Sequence, residues 1–411
     1  CSPVNLNKQT TLYKKSELIS TEESKNESNL KEIKLDPKKE IEVPQYPDLI
    51  INRTVTVLFS MNDNQNIINQ FINIIEMGLY DKKIENINLE IKYFNNNLDL
   101  KKIIFDSKEP GKVFIGPIKN EHTEILKDFC ADGLIFFTFS SDTSLAKDCI
   151  FLLNFFPKNE LEQLFAHLNS EAKVALLYPE NKYGYKINEL IDEVLNNSES
   201  VLINRSSYKK DLSNVRDAIK ELGKYELRKY ELNRQKQILR SRKDDKSKKR
   251  LKKLEKFKTT SDYDFTHILI ADYGLNLLQV APLLTYYDID PNIVQFMGTG
   301  VIDDESFFLE PSLQNAIFPG VEKDKRKKIL LDYQNIYGDN FIRISTLPYD
   351  LVGILNYIFS NNVTINQLMA LLNNTQLRFD GVDGNFYFKN NLIERDLNIL
   401  KISNGNAISV N

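Results

Sequence analysis

The sequence predicts an α/β protein with two lobes, each a largely parallel β-sheet covered by helices on both faces. From residue 51 onward, short apolar runs alternate with amphipathic stretches, which is the pattern of buried strands and the helices that cover them. This alternation occurs in two successive series, one for each lobe. With 411 residues, 42% hydrophobic content and a formal net charge of −3, the chain is long enough to bury two cores of ordinary size.

The first series begins with an apolar strand at 54–59, followed by an amphipathic helix over about 66–80 with one apolar face. Further strands are predicted at 89–93, 113–116 and 134–137. Small or polar residues follow the last two of these strands. Because parallel sheets bind ligands at the carboxyl ends of their strands, these residues are candidates for a binding site.

The second series has the same rhythm of strands and helices. Pro157 suits the first turn of a helix, and further helices are predicted to start at Tyr183 and Asp211 and to run through 277–286. The predicted strands of this series lie at 150–153, 174–178, 201–204, 268–270 and 294–298. We expect them to form the second parallel sheet.

An insertion at 225–258 interrupts the second series. It carries fifteen Lys and Arg against five Asp and Glu, within a chain that is net negative. Leu251, Leu254 and Phe257 keep a helical apolar spacing and 241–247 suggests a turn, so a helical hairpin is predicted. It is either a solvated helix pair or an arm that docks on an acidic partner surface or an anionic envelope polymer. Since no aromatic residues are interleaved for base stacking, no nucleic-acid partner is predicted.

The N-terminal residues predict a tether. Cys1 followed by Ser2 is how a bacterial lipoprotein begins once its signal peptide is removed, so we expect lipid on Cys1, and Ser2 favours the outer membrane. The alternative is a sequence that starts at an arbitrary cysteine. Residues 1–50 are dominated by Lys, Glu, Asn, Ser and Thr and are predicted to be a disordered linker. No apolar run has the length of a transmembrane helix.

Cysteine and histidine usage argues against an enzyme. The histidines are His122, His167 and His267, and the sequence has no HExxH, Walker, GxGxxG or nucleophile-elbow motif. Neither a metal nor a cofactor is predicted. Besides Cys1, the chain has Cys130 and Cys149, for which two buried free thiols are favoured and a disulfide is the alternative.

Several motifs carry a resemblance to known proteins. Residues 115–117 (Ile-Gly-Pro), 138–141 (Thr-Phe-Ser-Ser), 178–184 (Tyr-Pro-Glu-Asn-Lys-Tyr-Gly) and 296–298 (Phe-Met-Gly) follow predicted strands in an order that resembles type I periplasmic binding proteins of the leucine-binding kind. Three further segments make the chain similar to the alphaproteobacterial lipoproteins called penicillin-binding protein activators, over residues 52–402. These segments are 281–304, 347–350 and 379–386.

This resemblance implies a fold of two Rossmann-like lobes whose chain crosses between them more than once. We therefore expect the first lobe at 51–141 plus 319–362 and the second at 142–318 plus 363–411. Crossover strands of this kind allow the lobes to close on a ligand by a hinge motion.

The resemblance also implies a cleft between the lobes. Hydroxyls and amides at strand ends suit a ligand carboxylate, and Tyr183 and Tyr273 match the aromatic wall of the amino-acid receptors. The alternative for the small polar residues is that they cap helices. The candidates from the first lobe are Asn120, Thr138, Ser140 and Ser141.

One position departs from the receptor pattern. Branched-chain amino-acid receptors place an acid two residues after the glycine that matches Gly298, where it holds the ligand's ammonium. Here that position is Gly300, and Asp303 or Asp304 is the candidate to compensate.

Two functions remain as predictions. The first is a non-enzymatic regulator in the periplasm, anchored through Cys1, that activates a bifunctional penicillin-binding protein, as the resemblance implies. The alternative is a solute receptor that delivers an amino acid or a related small molecule to an ABC transporter.

Overall fold

The computed structural model of the protein describes residues 48–242, 244–321 and 323–410. The predicted lipidation site Cys1 and residues 1–47 of the predicted linker lie outside these ranges. No helix in the described ranges is both long enough and apolar enough to span a bilayer.

Fourteen strands are found in the described residues. They are β1 Thr54–Ser60, β2 Asn88–Phe94, β3 Val113–Ile115, β4 Ile135–Thr138, β5 Ile150–Leu152, β6 Lys173–Pro179, β7 Val201–Tyr208, β8 His267–Ile270, β9 Gln295–Met297, β10 Ile317–Gly320, β11 Phe386–Lys389, β12 Leu392–Arg395, β13 Asn398–Ser403 and β14 Asn406–Ser409.

Thirteen α-helices accompany these strands in the described ranges. They are α1 Gln65–Asp81, α2 Asn97–Asp106, α3 Asn120–Thr123, α4 Pro157–His167, α5 Lys182–Leu195, α6 Val215–Leu222, α7 Tyr225–Ser241, α8 Asp245–Leu254, α9 Gly274–Tyr286, α10 Glu305–Phe308, α11 Asp324–Tyr337, α12 Thr346–Ser360 and α13 Ile365–Leu372. Short 3₁₀ helices lie at Glu124–Asp132, Thr143–Leu145, Gly300–Ile302, Pro311–Leu313 and Arg343–Ser345.

The strands form two sheets of seven, in the order β11-β12-β5-β4-β3-β1-β2 and β14-β13-β10-β9-β8-β6-β7. In the first sheet the neighbouring strands from β12 to β2 run parallel, and β11 pairs antiparallel with β12. In the second sheet the neighbouring strands from β10 to β7 run parallel, whereas β13 pairs antiparallel with both β10 and β14. Because helices cover both faces, the central strands are largely buried, and six of the seven residues of β1 are buried. The predicted α/β fold of two lobes is confirmed.

Local signals explain where several helices begin. The side chains of Asn64 and Asn181 accept hydrogen bonds from first-turn amides of α1 and α5, and Pro157 occupies the first position of α4. The helix expected from Asp211 begins later, at Val215, because the Asp211 carboxylate accepts the Ser213 N–H and forms a turn there.

The lobe boundaries differ from those expected. Strand β5, predicted to open the second lobe, pairs with β4 in the first sheet, and β11 and β12 extend that same sheet. Helix α13, expected in the second lobe, packs in the first core, beside α12, which was expected there. Strand β5 is buried and apolar, and burial alone does not tell which sheet a strand joins. The chain therefore crosses between the lobes after β5, after β10 and after β12.

Cys130 and Cys149 form a disulfide, so the favoured expectation of free thiols is wrong. Cys149 directly precedes β5, and Cys130 lies in the 3₁₀ segment before β4, the strand beside it. This arrangement brings the two Cα atoms to 5.3 Å, which suits a disulfide. Because β5 was expected in the second lobe, no sequence pattern indicated that the two cysteines lie together.

The insertion is a helical hairpin, as predicted. Helices α7 and α8 pack on each other, and α7 follows α6 directly in the second lobe. The connection between the two helices is short, since α8 begins at Asp245 and its N-cap is Asp244.

Candidate functional site

A cleft of about 830 Å³ lies between the two lobes. Asn120 and residues 141–143 contribute the wall from the first lobe. The second lobe and the crossover after β5 contribute the remaining lining residues, which are Phe155, Pro157, Asn181, Lys182, Tyr183, Tyr185, Lys186, Glu189, Lys210 and Tyr273. Four predicted site residues therefore line the cleft: Asn120, Ser141, Tyr183 and Tyr273.

The wall from the first lobe is organised by Asn120, at the start of α3. Its side-chain oxygen accepts hydrogen bonds from the Ser140 hydroxyl at 2.8 Å and from the Ser141 N–H at 3.1 Å. The Ser140 hydroxyl is buried and also accepts the Asp142 N–H at 3.1 Å. Thr138 is buried within β4. Neither Ser140 nor Thr138 lines the cleft, so these two shape the wall from behind.

The opposite wall is aromatic. The rings of Tyr183, on α5, and Tyr273, the N-cap of α9, pack edge to face with centroids 5.3 Å apart. The Tyr183 hydroxyl lies 2.5 Å from the Thr299 hydroxyl. Burial, followed by the nearby charge of Glu160, raises the pKa of Tyr183, which keeps this phenol neutral.

The cleft is lined by charges of both signs, and the lysines of the second lobe outnumber the carboxylates. Lys186 is paired with Glu189 at 3.2 Å, whereas Lys182 and Lys210 are exposed. Asp142 faces them from the first lobe. No three His, Cys, Asp or Glu side chains of the described residues lie together as metal ligands. The cleft offers aromatic surface, amides and charges, which is a lining suited to binding a polar molecule.

Other residues of the protein occupy the space beside Gly300, the position that departs from the receptor pattern. The Gly300 N–H donates to the Glu160 carboxylate at 2.9 Å, and its carbonyl accepts from the Arg343 guanidinium at 2.7 Å. A Cβ atom at Gly300 would lie 2.3 Å from the Glu160 carboxylate and 3.1 Å from Arg343. The side chain that receptors carry at this position therefore has no room here. Glu160 supplies an acid from α4 instead, and Arg343 approaches it from the first lobe.

The environment of Glu160 combines burial and charge. Burial raises the pKa of its carboxyl, and the Arg343 cation and the Gly300 N–H partly oppose this effect. The Arg343 guanidinium stacks on the Phe155 ring, 4.0 Å from its centroid. The Glu160 carboxylate is thus buried, and the Arg343 guanidinium beside it is partly buried.

Asp303 does not line the cleft, so it does not compensate for Gly300 in the way the sequence suggested. Its buried carboxylate pairs with Lys323 at 3.1 Å and with Arg326 at 2.8 Å. Arg326 also bonds to Asp383, which in turn accepts the Thr346 hydroxyl. Burial alone would raise the pKa of Asp303, but Arg326, Arg343 and Lys323 hold it below its usual value.

These contacts join the lobes. Glu160, Gly300 and Asp303 belong to the second lobe, whereas Arg343, Arg326 and Asp383 belong to the first. We call these six residues the interlobe clasp. Sequence reasoning missed Glu160, Arg326 and Arg343, which stand in ordinary amphipathic helices or turns. Asp383 was not named as a site residue either, but it had a signal, since it lies in the 379–386 motif that carried the resemblance.

Comparison with known proteins gives the fold. No family model matches the sequence, and no curated protein matches it. A provisionally named branched-chain amino acid ABC transporter from Rhodospirillum rubrum superimposes with a TM-score of 0.66 at 12% identity, covering 88% of this chain and 100% of the other. The chain has the fold of a type I periplasmic binding protein.

Two further solved structures bear on function. A substrate-binding protein of an ABC transporter from Desulfitobacterium hafniense, in complex with Leu, has a TM-score of 0.55 at 12% identity and covers 87% of this chain and 99% of its own. The C-domain of LpoA from Haemophilus influenzae, a regulator of PBP1A, has a TM-score of 0.57 at 13% identity, with 87% and 100% covered. The chain spans 59% of full-length LpoA, at a TM-score of 0.59 and 14% identity.

Proposed function

We propose that this protein is a non-enzymatic regulator that activates a bifunctional penicillin-binding protein, a peptidoglycan synthase, by direct contact in the periplasm. The observation that carries the proposal is the occupied position at Gly300. The resemblance implies an acidic side chain for the ligand's ammonium at the position of Gly300, and here Glu160 and Arg343 of the protein itself contact that glycine.

The interlobe clasp supplies contacts between the lobes of the kind that a bound ligand supplies in a receptor. In a hinged receptor, the bound solute supplies the contacts that favour the closed arrangement of the lobes. Here, Arg343 and Arg326 of the first lobe reach carbonyl and carboxylate groups of the second. Removing one partner from such a buried pair costs about 3–5 kcal/mol. The two lobes are therefore held in one arrangement without a solute, which suits a protein that presents a fixed surface to a partner.

The similarity to LpoA supports the same proposal. The superposition with its C-domain, a regulator of PBP1A, covers 87% of this chain and 100% of the C-domain. The relatives of both kinds found by structure are binding proteins or regulators, which supports a function without catalysis.

The proposed location is the periplasmic face of the outer membrane, with the body tethered through lipid on Cys1. Two acyl chains or more give stable anchoring, and a long polar linker gives the body reach toward the peptidoglycan layer. A bifunctional synthase in the inner membrane is then within reach across the periplasm.

Surface plasmon resonance tests the proposed contact. The full chain is immobilised and the purified periplasmic domains of the bifunctional synthase from the same organism are injected. We expect saturable binding that a monofunctional transpeptidase from the same organism does not show. Absence of saturable binding to the bifunctional synthase contradicts the proposal.

A solute receptor is the second candidate, and the open cleft favours it. Its volume of about 830 Å³ and the wall formed by Tyr183 and Tyr273 suit a small polar ligand. A ligand at a hundredfold excess over its Kd would stabilise the protein by about 2.7 kcal/mol. Thermal melts with the twenty amino acids separate the two candidates: the regulator predicts no shift, and the receptor predicts a shift that Tyr183→Ala abolishes.

A further inference from the structure

The basic hairpin is fixed at its root by a buried arginine. The Arg228 guanidinium, on α7, donates to the carbonyls of Gly223, Thr260 and Tyr287 and to the Thr259 hydroxyl, at 2.6, 2.8, 3.1 and 2.7 Å. It also stacks on the Tyr263 ring at 4.6 Å. These partners come from both ends of the insertion and from the end of α9. The base of the hairpin therefore has a defined orientation on the second lobe.

The two helices of the hairpin are joined along their length. Leu232 and Leu239 of α7 are buried, and Leu251 and Leu254 of α8 are partly buried. Lys236 of α7 donates to the Phe257 carbonyl at 3.0 Å, and Arg240 pairs with Glu255 at 3.7 Å. Asp244 caps α8 by accepting the Ser247 N–H at 2.8 Å. Such contacts hold α8 in one position and leave its other face to solvent.

The outward face of α8 carries a stripe of lysines. Lys246, Lys249 and Lys253 follow the spacing i, i+3, i+7, so they lie on one face, opposite Ser247 and Leu251. All three are exposed, and none has an ion-pair partner within the part of the chain that the structure describes. The neighbouring Lys248, by contrast, is paired with Asp245 at 3.4 Å.

This stripe is unfavourable for the isolated helix. Like charges at i and i+4 repel on a helix surface, and Lys246 with Arg250 and Lys249 with Lys253 are two such pairs. Outside the hairpin the chain has 54 − 15 = 39 Lys and Arg and 57 − 5 = 52 Asp and Glu, which leaves a net charge of −13. The positive charge is thus concentrated on one rigid projection rather than spread over the protein.

We propose that Lys246, Lys249 and Lys253 form a docking surface for an acidic helix of a partner protein, with carboxylates at the matching spacing. Charge complementarity selects an acidic partner, and successive cations about 5–6 Å apart on a held helix match carboxylates at i, i+3 and i+7 of another helix. A membrane surface fits less well, because helices that lie on membranes turn an apolar face outward, whereas Leu251 and Leu254 of α8 are partly buried and its exposed face carries lysines. The identity of the partner as the synthase rests on the proposed function.

Binding to defined peptides tests this surface without the synthase. One probe is a helical 20-residue peptide that presents glutamates in one stripe at i, i+3 and i+7; the other has the same composition with the glutamates distributed around the helix. We expect the full-length protein to bind the striped peptide at least about fivefold more tightly, with affinity falling as salt rises. Lys246→Gln/Lys249→Gln/Lys253→Gln should remove this preference. The matched control, Lys92→Gln/Lys102→Gln/Lys147→Gln, neutralises three exposed lysines of the first lobe and should keep it.

Several results would contradict the proposed docking surface. Equal binding of the two peptides, or an equal loss in the control variant, would leave only unspecific charge attraction. Binding to vesicles of phosphatidylglycerol that the hairpin variant abolishes would assign the stripe to a lipid surface, and self-association that it abolishes would assign the stripe to a second copy. A hairpin variant that keeps its preference for the striped peptide, with an unchanged circular dichroism spectrum, would contradict the proposal directly. A failure here leaves synthase binding through another surface intact, so the two proposals fail separately.

Discussion

Glu160 and Gly300 lie 140 residues apart in the chain, and the Glu160 carboxylate accepts the Gly300 N–H at 2.9 Å inside the protein. This contact places an acid beside Gly300, the position at which the resemblance to amino-acid receptors implies an acidic side chain. The cation that faces Glu160 is Arg343 of the other lobe. The protein thus supplies both an acid and a cation beside Gly300.

The close packing around Gly300 predicts that adding a single methyl group there lowers the stability of the protein. Gly300→Ala should destabilise the protein by about 1–3 kcal/mol, because the new Cβ would lie 2.3 Å from the Glu160 carboxylate. In a Glu160→Ala background, the same change should cost much less, since the obstructing carboxylate is gone. Urea denaturation of the four proteins of this double-mutant cycle measures the coupling. Strictly additive effects would show that the two residues do not meet.

The pair of Asp303 with Arg326 predicts a dependence of stability on pH. The folded pKa of Asp303 lies below its ordinary value of 3.8, so its contribution to stability is present above that pH and is lost as the pH falls through the folded pKa. Asp303→Asn should lower the free energy of unfolding at pH 7 by about 3 kcal/mol and flatten its decrease below about pH 4. Chemical denaturation across this pH range is the measurement.

Asp304→Asn is the matched control for that experiment. Asp304 caps α10 by accepting the Ser306 N–H at 2.9 Å, and asparagine caps helices equally well. This variant should stay within about 0.5 kcal/mol of the wild type at pH 7. If the two variants behave alike, the buried ion pair does not hold the lobes together.

The fold class could be predicted from sequence because it depends on patterns that neighbouring residues share. The strand at 54–59 and the helix that starts near Tyr183 follow from runs of apolar residues and from capping residues, and both are found within a few residues. The assignment of 150–153 to the second lobe failed because sheet membership depends on pairing between distant segments. The same error separated Cys130 from Cys149.

The residues of the candidate site also divide into those that the sequence predicted and those that only the folded chain brings together. Asn120 and Ser141 were predicted from their place near strand ends, and Tyr183 and Tyr273 from the resemblance to amino-acid receptors; all four line the cleft. Glu160 and Arg343 carry no such local signal, as one lies inside a helix and the other in a short 3₁₀ turn. Their importance follows from a meeting with Gly300 that only the folded chain creates.

The disulfide predicts sensitivity to reductant. The bond closes a loop with a sequence separation of 19 residues, for which cross-linking stabilises by about 3 kcal/mol. Reducing agent should therefore lower the melting temperature of the wild type measured by calorimetry. The double variant Cys130→Ala/Cys149→Ala should melt at the lower temperature with and without reductant. An identical melting temperature for oxidised and reduced wild type would contradict this role.

The proposed anchor predicts a change of location on a single substitution. Cys1→Ala should move the protein from the membrane fraction to the soluble periplasmic fraction, because stable attachment needs the acyl chains. Fractionation followed by immunoblotting measures this, and Cys130→Ala/Cys149→Ala serves as the control that keeps Cys1. Retention of the Cys1→Ala variant in the membrane fraction would exclude lipid on Cys1 as the anchor.

The rate of glycan polymerisation by the purified bifunctional synthase, measured with and without the full-length protein, tests the proposed function most directly. We predict a saturable increase in rate on addition of the wild type that leucine and the other amino acids leave unchanged. An unchanged rate at saturating protein, together with a rise in melting temperature on addition of one amino acid, would contradict the regulator and identify a solute receptor.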